Sequence, residues 1–172
     1  FFGFIRKYKG LNLIIDSLSD TRLRKKNIKL IIAGEFYENK NNYLKKIDEL
    51  NLKDSISIFD HYIDNNNVAN YFCSCNLVVQ PYLSATQSGI SMIAFHFNKP
   101  VLATNVGGLN EYIDHGVNGY IVNPNSRDIA TAILDYFDNQ KEYSFSKEIF
   151  NKKSFYSWSK LLKSFEKLNQ SI

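Results

Sequence analysis

The chain has 172 residues, 44% of them hydrophobic, which is enough to bury a core of ordinary size in one domain. Its net charge of +4 comes from 21 basic and 17 acidic side chains spread along the sequence, too small and too dispersed an excess to argue nucleic-acid binding. No apolar run approaches the roughly 20 residues that cross a bilayer as a helix, so a soluble segment is expected.

Phe1 to Ile5 reads as a first, apolar strand. It starts without an initiator methionine or secretory signal, and we expect an excerpt that begins at a domain boundary. Leu11, Ile14, Ile15 and Leu18 then share one face of a helix that begins just after Lys9-Gly10. The connecting turn, Arg6 to Gly10, carries three cations where a dinucleotide fold places its phosphate-binding turn. Lys29 to Gly34 is a second strand, whose unbroken apolar run suits burial on both faces. Glu35 and Phe36 follow at its carboxyl end.

A polar helix with Tyr43, Leu44, Ile47 and Leu50 inward leads to a third strand, Ser55 to Phe59. Its exit loop is Asp60, His61, Tyr62 and Ile63. No carboxylate or second histidine stands at a helical or hairpin offset from His61, so it reads as a loop residue, not a metal ligand. Asp64 can cap the next helix, which runs through Val68, Tyr71 and Phe72. Cys73 and Cys75 have no second pair or zinc-type spacing and read as buried thiols, in keeping with a reducing compartment.

The stretch from Gln80 to Glu111 is the centre of the sequence. Leu77 to Gln80 is a fourth strand, closed by Pro81, which has no N–H to give a sheet. After the polar turn Ser84 to Gly89, the residues Ile90, Ile93, Ala94 and Phe97 fall at helical spacing. Small residues at a helix start leave unpaired N–H groups open to an anion; the plainer alternative is that Thr86 or Ser84 caps the helix. Val101 to Thr104 is a fifth strand, Leu109 to Ile113 a short helix, and Tyr120 to Val122 a sixth strand. Helices over Ser126 to Phe137 and from Ser154 to the end finish the chain. Trp158, Leu161, Leu162, Phe165 and Leu168 give the last one a wide apolar face, suited to an interface with a second domain.

Strands alternating with helices imply a Rossmann-like, doubly wound α/β fold with a six-stranded parallel sheet of order 3-2-1-4-5-6. Its ligand crevice lies at the carboxyl ends of strands one and four, where the winding reverses. Those ends carry Arg6 to Lys9 and Ser84 to Gly89, so cations and helix-start N–H groups converge on one crevice. The expectation is a diphosphate site.

The segments FFGFIRKYKGLNLII, LIIAGEF, FDHYI, VVQPYLSATQSG and NKPVLATNVGGLNEYIDHGVNGYIV resemble, in order and over nearly the whole chain, the carboxyl-terminal half of family 4 glycosyltransferases. These are retaining enzymes of the GT-B fold. The resemblance implies a domain that holds a nucleotide-sugar donor and faces an amino-terminal acceptor domain absent from this chain. It implies that Lys9, helped by Arg6, neutralises the donor diphosphate without a metal, and that N–H groups near Gln87, Ser88 and Gly89 hold the phosphates. Thr86 would meet the sugar, and Glu35, His61, Tyr62 and Ile63 the base and ribose. No further cofactor is implied. The implied partners are the missing domain, a nucleotide-sugar and a glycan or lipid-linked acceptor, with a cytoplasmic location that admits peripheral membrane association.

The sequence departs from the family at three positions. Phe4 stands where an arginine is usual, and Ala85 and Ile93 stand where two glutamates serve the sugar and the ribose. Two rival readings follow: a nucleotide-binding scaffold that has lost catalysis, and another nucleotide-sugar enzyme such as an epimerase, for which no acid–base pair is visible. Glu111 is a candidate acid, equally explained by ion pairing or helix-start placement.

Overall fold

The structure, a computed structural model, describes residues 1–153; the helix expected from Ser154 onward lies outside the described residues. Five strands form two parallel groups. Strand β1 (Leu30–Ala33) pairs with β2 (Ile56–Phe59), and β3 (Val78–Gln80), β4 (Val101–Thr104) and β5 (Gly119–Val122) pair in that order. The helix Lys40–Glu49 joins β1 to β2 and the helix Gly89–His96 joins β3 to β4, the crossovers that parallel pairing needs, while β4 reaches β5 through a 3-10 turn and loop.

The expected first strand is present only as bridges. Ala33 turns both backbone groups toward Phe1 and Gly3, accepting from Gly3 N at 2.9 Å and donating to Phe1 O at 3.0 Å, while Gly34 N donates to Phe59 O on the other side. Phe1 to Ile5 therefore lies beside β1, opposite β2, bridged at Phe2 and Ile5. Gly3, at φ +93°, takes the chain out of extended geometry between those two bridges. Among the described residues no strand pairing joins this segment to β3. A cavity of about 510 Å³ separates the two groups at their amino ends, lined by Phe1, Phe2, Ile31, Leu77 and Val78 among others. The continuous six-stranded sheet expected from the sequence is thus replaced by two parallel groups.

Both faces of these groups are covered. Leu102 belongs to a core cluster with Ile14, Ile15 and Ile133, whereas its neighbours Val101 and Ala103 belong to a second cluster with Phe72, Ala94 and Phe95. That alternation is the pleat of a strand buried from both sides. The first cluster is supplied by α1 (Leu11–Leu18), α3 (Lys40–Glu49) and α6 (Ser126–Asp138), with α2 (Thr21–Arg24) between α1 and β1 in the chain. The second is supplied by α4 (Asn65–Ser74), α5 (Gly89–His96) and α7 (Glu142–Lys152). Side-chain caps start several of these helices: Asp64 accepts from Asn66 N, Asn39 from Asn41 N and Asn125 from Asp128 N.

Some readings need correction. Leu44 is 40% exposed, because Tyr43 and Ile47 already fill the inward face of α3. Cys73 is exposed and Cys75 only partly buried, so the pair is not a buried thiol cluster. The short helix after β4 is a 3-10 turn, Gly107–Glu111.

Candidate functional site

The carboxyl ends of the Phe1–Ile5 segment and β3 carry two loops in backbone contact. Lys7–Lys9 forms a 3-10 turn that ends at Gly10, with φ 65°. A Cβ at Gly10 would lie 1.9 Å from Pro81 O, so glycine alone lets the turn approach the loop after β3 this closely. Leu83 N donates to Tyr8 O at 2.6 Å and ties the two together.

This packing buries a cation. Lys9 is 8% exposed, with its Nζ 5.8 Å from the Tyr82 ring centroid and 3.1 Å from where a Gly3 side chain would begin. No carboxylate pairs with it among the described residues. Burial, and then the nearby Arg6 charge, pull its pKa below the ordinary lysine value. An ammonium held this way is under-solvated.

Facing Lys9, the loop Ser84–Gly89 leads into α5. The N-cap is Ser88, which accepts from Ile90 N at 3.3 Å; the expected alternatives, Thr86 and Ser84, do not cap. The side chains of Ser84, Thr86 and Gln87 are exposed and make no hydrogen bond among the described residues. A second glycine pair fixes this loop from behind. Gly108 N donates to Thr86 O at 3.0 Å, and a Cβ at Gly107, with φ +53°, would stand 1.5 Å from Ala85 O. Lys9, Tyr82, Thr86, Gln87, Ser88 and Gly89 line one open pocket of about 490 Å³. Ile90 and Ile93 also line it, so part of the apolar stripe of α5 faces the pocket, while Ser91, Ala94 and Phe95 form the buried face.

The other expected site residues are not drawn into this pocket. Arg6 places its guanidinium 4.6 Å from the Tyr37 ring centroid, close enough to Lys9 to act on its charge but outside the pocket lining. Glu35 accepts from Ile5 N through its backbone at 2.8 Å. His61 and Tyr62 are exposed and Ile63 is buried, all at the end of β2. Sequence reasoning missed the aromatic corner in which Phe4 and Tyr37 meet at 4.9 Å, edge to face, under Arg6. Their separation in sequence hides it, and the parallel bridge between Ile5 and Phe36 creates it. It also missed Gln80, whose Oε1 accepts from Ser91 Oγ at 2.9 Å while its Nε2 is buried without a partner among the described residues. The larger cavity between the strand groups lies at the opposite, amino ends of the strands and contains neither loop.

Among the described residues no group of three or more His, Cys, Asp or Glu could hold a metal ion, and no helix is long and apolar enough to cross a membrane.

The class so defined is a parallel α/β fold with a buried lysine set against a helix start, an arrangement suited to an anion. The chain belongs to the group 1 glycosyltransferase family, whose model matches residues 1–151. It is 29% identical to a glycosyltransferase of Methanocaldococcus jannaschii over 100% of this chain and 47% of that protein. It is 28% identical to the lipopolysaccharide 1,2-N-acetylglucosaminetransferase of Salmonella typhimurium over 95% of this chain and 45% of that protein. The chain therefore spans a little under half the length of these relatives. Among solved structures, Anabaena HepE in complex with UDP superposes with a TM-score of 0.80 at 20% identity, covering 99% of this chain and 48% of that one. The carboxyl-terminal domain of LpcC from Francisella tularensis, a group 1 glycosyl transferase, gives 0.80 at 24% identity, with 91% and 84% covered. The fold is that of GT-B glycosyltransferases.

Proposed function

We propose that this chain is the donor-binding, carboxyl-terminal half of a retaining family 4 glycosyltransferase, which moves a hexosyl unit from a nucleoside diphosphate sugar to a glycan or lipid-linked acceptor. The observation that carries this is Lys9, a buried cation without a counter-ion among the described residues, facing the start of α5 across a pocket open to solvent. A diphosphate supplies the missing charge. The solved complexes of HepE with UDP and UDP-glucose give the nucleotide class by analogy.

As the glycosidic bond breaks, negative charge grows on the departing diphosphate while the sugar becomes oxocarbenium-like. Lys9, the backbone N–H groups near Gln87, Ser88 and Gly89 and the dipole of α5 stabilise that charge, with Arg6 as second cation. In this reading no metal or further cofactor is needed. Thr86 and Gln87 offer neutral hydrogen bonds to the sugar, and Glu35, His61, Tyr62 and Ile63 border the base and ribose. Acceptor-side groups belong to the amino-terminal domain, so the chain alone binds nucleotide and turns over little. The whole enzyme then works in polysaccharide biosynthesis in the cytoplasm, at the inner face of the membrane.

Calorimetric titration with UDP, GDP and ADP in chelator-containing buffer tests this. One diphosphate should bind, and Lys9→Ala should weaken it about tenfold or more, as loss of a hydrogen bond to a charged group implies. A folded protein that binds none of the three would overturn the proposal.

A further inference from the structure

This inference rests on the donor-site reading and concerns how the start of α5 is held. We propose that Gln80 is a positioning residue of the site, which acts through its hydrogen bond to Ser91 to fix the first turn of α5 against the pocket.

Gln80 is the last residue of β3 after Val78 and Val79, and it pairs in register with Ala103 of β4. It is 1% exposed, so an amide stands where a strand covered on both faces calls for an aliphatic side chain. Its Oε1 accepts from Ser91 Oγ at 2.9 Å, and Ser91, in the first turn of α5, is itself buried. The bond therefore ties together the two ends of the segment 81–90, which carries Tyr82 and the whole Ser84–Gly89 wall of the pocket.

The first part of that segment is pinned by its neighbours. Pro81 O lies against Gly10, Tyr82 O accepts from Thr104 Oγ1, Leu83 N donates to Tyr8 O, and Ala85 and Thr86 rest on Gly107 and Gly108. The part from Gln87 to Ser91, whose N–H groups open toward the ligand, is held differently. Among the described residues, its hydrogen bonds beyond α5 and its cap are the 3.4 Å contact of Ser88 Oγ with the Tyr82 hydroxyl and the shorter bond of Ser91 to Gln80.

This arrangement is not the most stable one open to the core. Gln80 Nε2 is buried without a partner among the described residues, a cost that an aliphatic side chain would not carry. A serine inside a helix can also bond back to a carbonyl of its own helix, whereas Ser91 reaches across to β3. An apolar pair would fill both positions with no donor left over. What the amide adds is a directional tie on the helix start.

The test measures, on the full 172-residue chain, the thermal midpoint and the calorimetric affinity for whichever of UDP, GDP and ADP wild type binds. Two variants move stability in opposite directions. Gln80→Met combined with Ser91→Ala makes both partners apolar and should leave the midpoint unchanged or raised, whereas Ser91→Ala alone leaves the whole amide unpaired and should lower it. Both lose the tie, so both should bind the diphosphate about fivefold more weakly, the bias that one net hydrogen bond gives. Wild-type affinity in either variant would overturn the inference while leaving the diphosphate site standing. A double variant that fails to fold, or whose midpoint falls together with its affinity, would show a purely structural pair and overturn it as well. No binding of any of the three by folded wild type would overturn the donor-site reading, and this inference with it.

Discussion

On one side of the pocket the Lys7–Lys9 turn delivers a side chain that is 8% exposed and packed above Gly3. On the other, the Ser84–Ser88 loop offers the side chains of Ser84, Thr86 and Gln87, exposed and unbonded among the described residues. The first wall carries charge fixed in place when the chain folds. The second is held through its backbone by Gly107 and Gly108 and through the Ser88 side chain at the start of α5, and leaves the side chains of Ser84, Thr86 and Gln87 without a partner among the described residues. Charge at a pocket is useful when it needs no rearrangement at the moment of reaction, and discrimination is useful when the groups that read a ligand are not already satisfied.

The backbone clamp gives the sharpest way to break that contrast. Gly107→Ala would drive a methyl group into Ala85 O and strain a positive-φ residue, whereas Gly116→Ala meets nothing within 4 Å at φ +77°. The Gly116 variant should lose only the left-handed backbone penalty, about 1–2 kcal/mol. The Gly107 variant should lose more than that in chemical denaturation, and nucleotide affinity should fall with it because the loop backbone must move. Equal losses in the two variants would show that the clamp is not what fixes the loop.

A smaller effect separates the residues within the loop. Ser88→Ala removes a helix cap and should lower stability by about 1 kcal/mol. Thr86→Ala and Ser84→Ala remove hydroxyls that bond to nothing among the described residues and should leave the denaturation midpoint unchanged. If Thr86→Ala destabilises the protein as Ser88→Ala does, the hydroxyl is structural and is not held for a ligand.

The contrast also shows what could be read in advance. The two loops were legible because each follows an apolar run at a strand end, and their meeting follows from parallel winding. Helices α1 and α4 were legible from spacing and from the Asp64 cap. The pleated alternation around Leu102 agrees with the continuous apolar run Val101 to Ala103, which suits a strand buried on both faces. The single six-stranded sheet was not recovered. Nothing in the apolar run Phe1 to Ile5 shows that Gly3 takes a positive φ there, and the missing contact to β3 involves residues far apart in sequence. Helix α7 escaped because Phe145 and Ile149 are its only buried residues, while Tyr143 and Phe150 are exposed. The clamp escaped too, since Gly107-Gly108 reads locally as a turn and its partners, Ala85 and Thr86, are some twenty residues away.

The central claim, that Lys9 awaits a diphosphate, makes pH the direct probe. Its pKa in the free fold is depressed, so between that value and the unfolded lysine value the unfolded chain holds more protons. Stability of the free protein should therefore rise with pH across that window, below about 10.5. Binding needs the charged form, so nucleotide affinity should fall over the same window. The measurement is the pKa of Lys9 itself, followed by NMR of its side chain with and without the nucleoside diphosphate selected by titration. The free value should lie below that of an exposed lysine and should rise on saturation, as a dianion replaces an empty, desolvating pocket. An unshifted free value, or one that saturation leaves unchanged, would contradict the account.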